Sequence, residues 1–305
     1  MTRAYLLHRT LSSALLILLV TVVVFLLLHI TPGDPATIML GEQATPDQIA
    51  DLRRAMGLDR PLAEQYLRFL THALGGDLGM SIRAQRPALD VVGERLPATL
   101  LLAAGAFTFA IAVALPIGIV AAVKRSSLWD HGSMLLALLG QSMPVYWLGL
   151  MLIAVFAVDL HWLPASGMGT PAHVILPAVT LGTFLIGLML RLTRSSMLDV
   201  LRQDYVRTAR AKGLPERRVL LRHAFRNALI PVVTLFGLQL GVLLGGAVIT
   251  ETVFAWPGLG MLTVTAIQQR DYPVVQAAVL LSAVIVVTVN WAVDVLYRAL
   301  DPRIT

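Results

Sequence analysis

The residue types that most often perform enzymatic chemistry are few in this sequence, and they are not spaced for catalysis. The only two lysines, Lys124 and Lys212, do not follow a glycine, so the Gly-Lys pair of a phosphate-binding loop is missing. The chain contains no cysteine, no Gly-x-Ser-x-Gly and no His-Glu-x-x-His. His29 and His173 lie at the ends of apolar stretches, where interfacial histidines are commoner than metal ligands. The sequence therefore predicts no catalytic residue, no metal site and no cofactor bound by this chain.

Polar residues inside apolar stretches are the other candidates for function, because placing them in a membrane is costly. Gln141 and Ser142 lie in one such stretch, and Gln239 lies in another. They could line a translocation pathway or form interhelical hydrogen bonds, and the sequence leaves both interpretations open. Asp294 lies near the end of the last stretch, where pairing with a loop arginine is the simpler explanation.

The composition indicates a membrane protein. Hydrophobic residues make up 57% of the 305 residues and charged residues only 14%, whereas a soluble domain has about 25% charged residues. A span needs roughly 20 apolar residues, and such segments form helices because a helix satisfies its own backbone hydrogen bonds. An all-α polytopic protein with six transmembrane helices is predicted, with apolar stretches at residues 11–30, 98–123, 133–158, 174–190, 229–249 and 274–296.

The distribution of basic residues predicts the orientation of the spans. Sixteen Lys and Arg residues fall in the two termini and the second and fourth loops, whereas the short loops opposite contain only Arg270. Loops rich in Lys and Arg lie on the cytoplasmic side, so both termini are predicted to be cytoplasmic. The same clustering next to apolar stretches explains the net charge of +6 better than nucleic-acid binding does. The first stretch is too long for a signal peptide, so we expect a retained span.

The first loop, residues 31–96, is predicted to be a small folded segment outside the membrane. Its seven arginines are balanced by nine acidic residues. Thr45 and Gln48 have the spacing of a capping box, and Gly57 would end the helix that they begin. A second helical stretch follows, from Pro61 to Leu74. The segment could be a structural lid or a docking surface for an outside partner.

The loop at residues 191–227 is the most basic region of the chain, with ten Lys and Arg residues. Gly213-Leu214-Pro215 interrupts it and predicts two amphipathic helices joined by a sharp turn at the membrane surface. Apolar residues four positions apart would share one face in each helix: Leu201, Tyr205 and Ala209 before the break, and Leu221, Phe225 and Leu229 after it. Periodicity alone also allows a basic loop that only sets topology and contacts lipid headgroups.

The residue order within this loop is more specific than its periodicity. The segment from Asp204 to Leu214 strongly resembles the cytoplasmic loop of binding-protein-dependent ABC importer permeases, and most closely their dipeptide, oligopeptide, glutathione and nickel group. Arg207-Thr208-Ala209 takes the place of the family's Glu-Ala-Ala, Gly213 matches its glycine and Pro231 its closing proline. The absence of this Glu is itself a feature in which the sequence resembles the peptide group. The resemblance implies a coupling helix that docks on an ATPase subunit through Tyr205, Val206, Arg207, Thr208, Ala209, Arg210, Ala211, Lys212, Gly213 and Leu214.

Other segments extend the resemblance along most of the chain. Those similar to the same group are residues 28–35, 162–167, 251–260, 270–273, 294–297 and 301–303. The resemblance implies that two outside loops face a solute-binding protein through Trp162, Pro164, Trp256, Pro257 and Gly258. Gly237, Gly241 and Gly245 form a ridge of small residues in the fifth stretch. This ridge could serve packing within the chain, an interface with a second permease, or a groove for substrate.

The resemblance implies the type I ABC importer (MetI-like) permease fold. Residues 1–30 would form the N-terminal end and first span, residues 31–96 the outside loop, and residues 97–305 the five-helix core. The implied partners are a second, related permease forming a heterodimer, two ATPase subunits that bind ATP and Mg, a periplasmic or lipid-anchored solute-binding protein, and membrane lipid of the bacterial inner membrane.

The resemblance also implies a class of cargo. Peptides, including dipeptides, oligopeptides and glutathione, are the first expectation, and nickel or a metal chelate is the alternative. A secondary transporter or channel driven by an ion gradient is the rival from another class, although the centres of the spans contain no Asp, Glu, Lys or Arg.

Overall fold

The computed structural model describes residues 3–30, 35–40 and 44–300. Apart from one isolated β-bridge between Met80 and Pro87, these ranges contain only helices, turns and loops. Their α-helices are α1 (Arg3–Ile30), α2 (Pro35–Leu40), α3 (Pro46–Met56), α4 (Leu62–Leu74), α5 (Ala88–Gly93), α6 (Leu96–Val123), α7 (Leu128–Ser142), α8 (Val145–Leu152), α9 (Ala172–Leu201), α10 (Asp204–Ala211), α11 (Glu216–Arg218), α12 (Phe225–Val253), α13 (Leu259–Gln268) and α14 (Tyr272–Leu300). Two π-helical segments, Ile153–Asp159 and Val219–Ala224, follow α8 and α11.

Several of these helices are long and apolar enough to cross a membrane. Four segments are long and apolar enough by themselves: Leu7–Leu26, Ala88–Val123, which contains α5 and α6, Ala172–Leu201 and Tyr272–Val295. The number of candidate spans rises to six if each of two bent helix pairs is counted as one span: residues 128–159, bent by 103°, and residues 216–237, bent by 46°. The prediction of an all-α polytopic protein is therefore confirmed for the described part of the chain. The third stretch is not one straight helix, because Pro144 cannot donate a backbone hydrogen bond and Met143 is extended.

The chain divides into two compact units. The large unit comprises Thr99–Pro257 and Val289–Thr305, and the small unit comprises Thr2–Ala98 and Gly258–Thr288. The small unit thus takes residues 258–288 from the sequence range that we assigned to the five-helix core.

In the large unit, α9 is the central helix and packs against both α12 and α7. Its glycines allow close approach. A Cβ atom at Gly182 would lie 2.7 Å from the carbonyl oxygen of Ala106 in α6, and one at Gly187 would lie 2.5 Å from that of Ala137 in α7. A side chain at either position would therefore force the helices apart.

In the small unit, the local predictions for the first loop hold. Thr45 caps α3 and exchanges hydrogen bonds with Gln48, and Gly57 ends the helix in the left-handed conformation. The unit's apolar core joins Ala88 and Val92 of α5 to Leu259 of α13 and Ala277 of α14. The α13 helix was not predicted from the sequence. Residues 31–34, which belong to the motif at 28–35, lie outside the described residues.

Candidate functional site: the loop between α9 and α12

The basic loop folds as a short helical hairpin. The α10 helix is followed by Gly213, whose φ of +72° is in the left-handed region that favours glycine. The predicted break at Gly213-Leu214-Pro215 is therefore present. Arg210 donates two hydrogen bonds to the Glu216 carboxylate, at 3.1 and 2.7 Å, and so joins the two sides of the turn. The hydrogen bonding to Glu216, together with the charge of that carboxylate, raises the pKa of the Arg210 guanidinium.

A small apolar cluster fixes α10 to the rest of the loop. Val206 and Ala209 are buried on the inner face of α10 and pack with Val219, which is fully buried. Asn227 donates a 2.8 Å hydrogen bond from its amide to the Tyr205 hydroxyl, which connects α10 to the first turn of α12. Helix α10 is therefore held to the π-helical segment by apolar contacts and to α12 by a polar contact.

The opposite face of α10 and the turn after it are exposed in this chain. Of the ten residues predicted to dock on an ATPase, two are buried and Leu214 is half-buried. The seven exposed residues are Tyr205, Arg207, Thr208, Arg210, Ala211, Lys212 and Gly213. This exposed face is basic, and the apolar face opposite it is already buried within the chain. The exposed face can therefore dock in an acidic or polar groove of another protein.

Three details of the predicted helices are wrong. Helix α9 ends at Leu201 and α10 begins at Asp204, so Leu201 does not share a helical face with Tyr205. After the break, the π-helical segment shifts the helix phase. The buried residues there are consequently Val219, Ala224 and Ala228, while Leu221 is 48% exposed. The second helix also continues into the fifth span instead of forming a separate surface helix.

A buried ion pair, which sequence reasoning missed, lies at the end of α9 that leads into the loop. Arg194 donates from Nε and Nη2 to the Asp130 carboxylate of α7, at 2.5 and 2.7 Å. Asp130 is 3% exposed, and it also accepts the backbone N–H of Ser126 at 3.0 Å. Because Asp130 is 64 residues from Arg194, periodicity could not have paired them. The ion pair fixes α7 to α9 ten residues before α10.

The polar residues predicted inside the spans occupy different surroundings. Gln141 accepts a hydrogen bond from the Arg191 guanidinium, whereas the exposed Ser142 hydroxyl donates to its own helix at the Leu138 carbonyl. Gln239 is half-buried in α12, and within the described chain no hydrogen bond joins it to either of them. Their role in a pathway stays a prediction.

The predicted glycine ridge is described in part. A Cβ atom at Gly237 would overlap the Val293 side chain of α14, which favours packing within the chain as its role. Gly241 is buried. The surroundings of Gly245 lie outside the described residues.

The outside-loop predictions are partly wrong. Trp162 is 70% exposed, and Pro164 and Pro257 are half-buried. Trp256 is fully buried and its backbone N–H donates to the Glu251 carbonyl at 2.8 Å, while Gly258 is also buried. Neither lies on the surface of this chain. The sequence could not show this, because an aromatic ring beside Pro and Gly in a loop can turn inward as readily as outward. Glu251 is itself fully buried and accepts a 2.6 Å hydrogen bond from Thr99.

Comparison with known proteins gives the same family along nearly the whole chain. The family model of the binding-protein-dependent transport system inner membrane component matches residues 114–305, and the model of its N-terminal region matches residues 1–103. The chain is 44% identical to the dipeptide transport system permease protein DppB of Escherichia coli (strain K12), over 93% of this chain and 94% of that protein. It is 47% identical to the glutathione transport system permease protein GsiC of Salmonella typhimurium (strain LT2), over 98% of each.

A solved structure shares the fold. An inward-facing conformation of the MetNI methionine ABC transporter superposes with a TM-score of 0.57 at 20% identity, over 68% of this chain and 95% of that chain. The predicted MetI-like fold and the family resemblance carried by residues 204–214 are thus confirmed. The chain belongs to the family of binding-protein-dependent transport system inner membrane components, as a multi-pass permease of an ABC importer.

Proposed function

We propose that this chain is the translocation subunit of an ATP-driven peptide importer, and that residues 204–214 dock on its ATPase subunit. The observation that carries the proposal is the two-faced α10. Its inner face is held by Val206 and Ala209, and its outer face presents Arg207 and Lys212 to solvent. A helix fixed on one side and free on the other can transmit a displacement without first unfolding.

The contacts around α10 suggest how such a displacement would spread. Movement of Val206 and Ala209 would act on Val219, and movement of Tyr205 would act on Asn227, at the start of α12. Helix α12 packs along α9, and α9 is fixed to α7 by the Asp130–Arg194 ion pair. A shift of α10 would thereby reach three of the spans.

The assembly that we propose follows the family. It has this chain and a second, related permease as a heterodimer, two ATPase subunits that bind ATP and Mg, and a solute-binding protein outside. ATP hydrolysis would take place on the partners, in keeping with the missing Gly-Lys pair at Lys124 and Lys212. Both termini and the basic loop would be cytoplasmic, as the distribution of Lys and Arg favours. Residues 31–96 would form the outside segment.

The transport cycle would use two conformations of the spans. ATP would bring the two ATPases together, and their movement would pull the coupling helices and open the pore outward. Hydrolysis would reset the pore to the inward-facing state. The binding protein and the nucleotide would each shift the balance between the two states, which is how their effects become coupled.

The proposed cargo is a dipeptide, a short oligopeptide or glutathione. This is supported by relatives whose names specify dipeptide, di/tripeptide and glutathione transport at 44–47% identity. The alternatives are nickel or a metal chelate within the same class, and an ion-gradient-driven transporter outside it. Uptake of labelled dipeptide, glutathione and nickel into proteoliposomes that contain the full complex, with and without ATP, separates the three.

The coupling assignment is tested by Gly213→Pro. Proline fixes φ near −65° and has no N–H, whereas Gly213 has φ +72° and donates to the Arg210 carbonyl at 2.9 Å. We expect peptide uptake per ATP hydrolysed to fall at least about tenfold, the equivalent of roughly 1.4 kcal/mol, while membrane insertion is unchanged.

Gly76→Pro is the matched control. Gly76 also has a left-handed φ, +81°, and its N–H donates to the Ala73 carbonyl at 3.1 Å, but it lies in the small unit. We expect this variant to keep the normal uptake per ATP. Normal uptake by Gly213→Pro would contradict the docking assignment. Uptake that needs an ion gradient and no ATP would contradict the function itself.

A further inference from the structure

A groove on the large unit has features that the proposed transport mechanism does not use. It lies between the second half of α6 and the first half of α7 and has a volume of about 620 Å³. Its walls are apolar, with Ile117 and Val120 on one side and Trp129 and Leu136 on the other. The Ser133 hydroxyl also lines it but already donates to the Asp130 carbonyl at 2.9 Å. The groove therefore suits a hydrocarbon chain better than a polar solute.

The groove is open to the surroundings of the chain. Leu128 is 91% exposed, and Trp129 and Leu136 are each 68% exposed. Such a cluster of exposed large apolar side chains would be unfavourable in water, and in a spanning region it is solvated by lipid or covered by protein.

One end of the groove is basic. The Lys124 ammonium lies 5.5 Å from the centre of the Trp129 ring, and the exposed Arg125 is its neighbour in the chain. The closest acidic residue in sequence is Asp130, which is already paired with Arg194. Neither Lys124 nor Arg125 forms an ion pair among the residues that the structure describes. Both positive charges are therefore available to an anion, and that of Lys124 lies at the Trp129 end of the groove.

We propose that this groove is a binding site for an anionic phospholipid. An acyl chain would lie against Ile117, Val120 and Leu136, and the phosphate would be bound by Lys124 and Arg125. Trp129 joins the two parts, since tryptophan favours the membrane interface and its ring face attracts the Lys124 cation. Charge complementarity selects this occupant over a helix of another subunit, because an apolar helix would leave both cations without a counterion.

The proposal rests on membrane embedding and not on the coupling function of residues 204–214. It is therefore tested separately, by native mass spectrometry of the complete transporter released from nanodiscs. The probes are phosphatidylglycerol and phosphatidylcholine with identical acyl chains, added in equal amounts. The wild-type protein should retain phosphatidylglycerol preferentially.

The charge requirement is tested by the double variant Lys124→Gln/Arg125→Gln. Roughly thirty-fold weaker phosphatidylglycerol retention is expected, because each basic residue near an anionic lipid surface contributes about a fivefold factor. Arg83→Gln/Arg95→Gln is the matched control. It removes the same charge from two exposed positions of the small unit and should leave retention unchanged.

The apolar requirement is tested by Leu136→Trp, which fills the groove without altering any charge. This variant should lose phosphatidylglycerol while the second permease still co-purifies in normal amount. Equal retention of the two lipids by the wild-type protein would overturn the proposal, as would normal retention by either groove variant. Loss of the second permease from Leu136→Trp would also overturn it, because the groove would then be a protein interface.

Discussion

Asp130 in the large unit and Asp271 in the small unit are both buried carboxylates in or next to the first turn of a long helix, and each is 3% exposed. They differ in which groups stabilise the charge of the carboxylate. Asp130 is paired with the Arg194 guanidinium. Asp271 accepts hydrogen bonds from the Ser81 hydroxyl at 2.5 Å and from the backbone N–H groups of Ile82 and Arg83 at 3.1 and 3.3 Å.

The difference shows two ways to fix a loop to a helix. The Asp130 site depends on one cationic side chain, so a single substitution can leave a buried charge without a partner. The Asp271 site depends largely on backbone donors. These donors are kept when Ile82 or Arg83 is replaced by any residue except proline. The first joins helices whose relative position we propose to matter for coupling, and the second holds the loop at residues 81–83 against the start of α14.

The largest effect is expected for Arg194→Leu. Removing one partner of a buried ion pair typically costs about 3–5 kcal/mol, because the remaining charge is uncompensated. The thermal unfolding midpoint of the purified complex in detergent should fall accordingly. The double variant Asp130→Asn/Arg194→Leu should recover most of the loss, because Asn is neutral and can still accept from the Ser126 N–H. Equal instability of the two variants would show that the buried charge is not the cause.

A smaller effect is expected for Asp271→Asn. The amide keeps one acceptor oxygen but turns an NH₂ group towards donors, and hydrogen bonds to a charged group contribute about 1.5–3 kcal/mol. Faster native-state proteolysis in the loop at residues 79–87 is the measurement. Asp77→Asn is the control, because Asp77 is exposed: it accepts the Gly79 N–H within the same loop and lies 3.5 Å from the His72 ring nitrogen. Proteolysis of Asp271→Asn that is no faster than that of Asp77→Asn would contradict this description of the Asp271 site.

The smallest effect is expected for Arg86→Gln. Arg86 forms an ion pair with Glu94 that is exposed on both sides, and this pairing raises the pKa of the guanidinium. Exposed pairs are screened and contribute little, so we expect no measurable change in unfolding midpoint at low or high salt. A clear loss of stability would indicate that the exposure of an ion pair does not predict its contribution to the stability of this protein.

Features set by neighbouring residues could be predicted from the sequence. The capping box at Thr45 and Gln48, the left-handed ends at Gly57 and Gly213, and the apolar length of the spans all depend on local chemistry. The family resemblance also came from a local order of residues, between Asp204 and Leu214.

Predictions that assumed an uninterrupted helical period were less successful. The gap between Leu201 and Asp204 and the π-helical segment at Val219–Ala224 each shift the phase, so the buried face of the loop is Val206, Ala209 and Val219. A shift of one residue in the helix phase leaves the composition of the segment unchanged. An argument from regular periodicity therefore cannot detect it.

The sequence by itself determined that this chain is a helical membrane protein of the importer family, because span length, charge asymmetry and motif order are local properties. Only the tertiary structure decided that Arg194 pairs with Asp130, that Asp271 is held by Ser81, and that Trp256 is buried. These outcomes depend on which segments meet after folding. The partners of each carboxylate lie 64 and 188–190 residues away, beyond the reach of any local pattern.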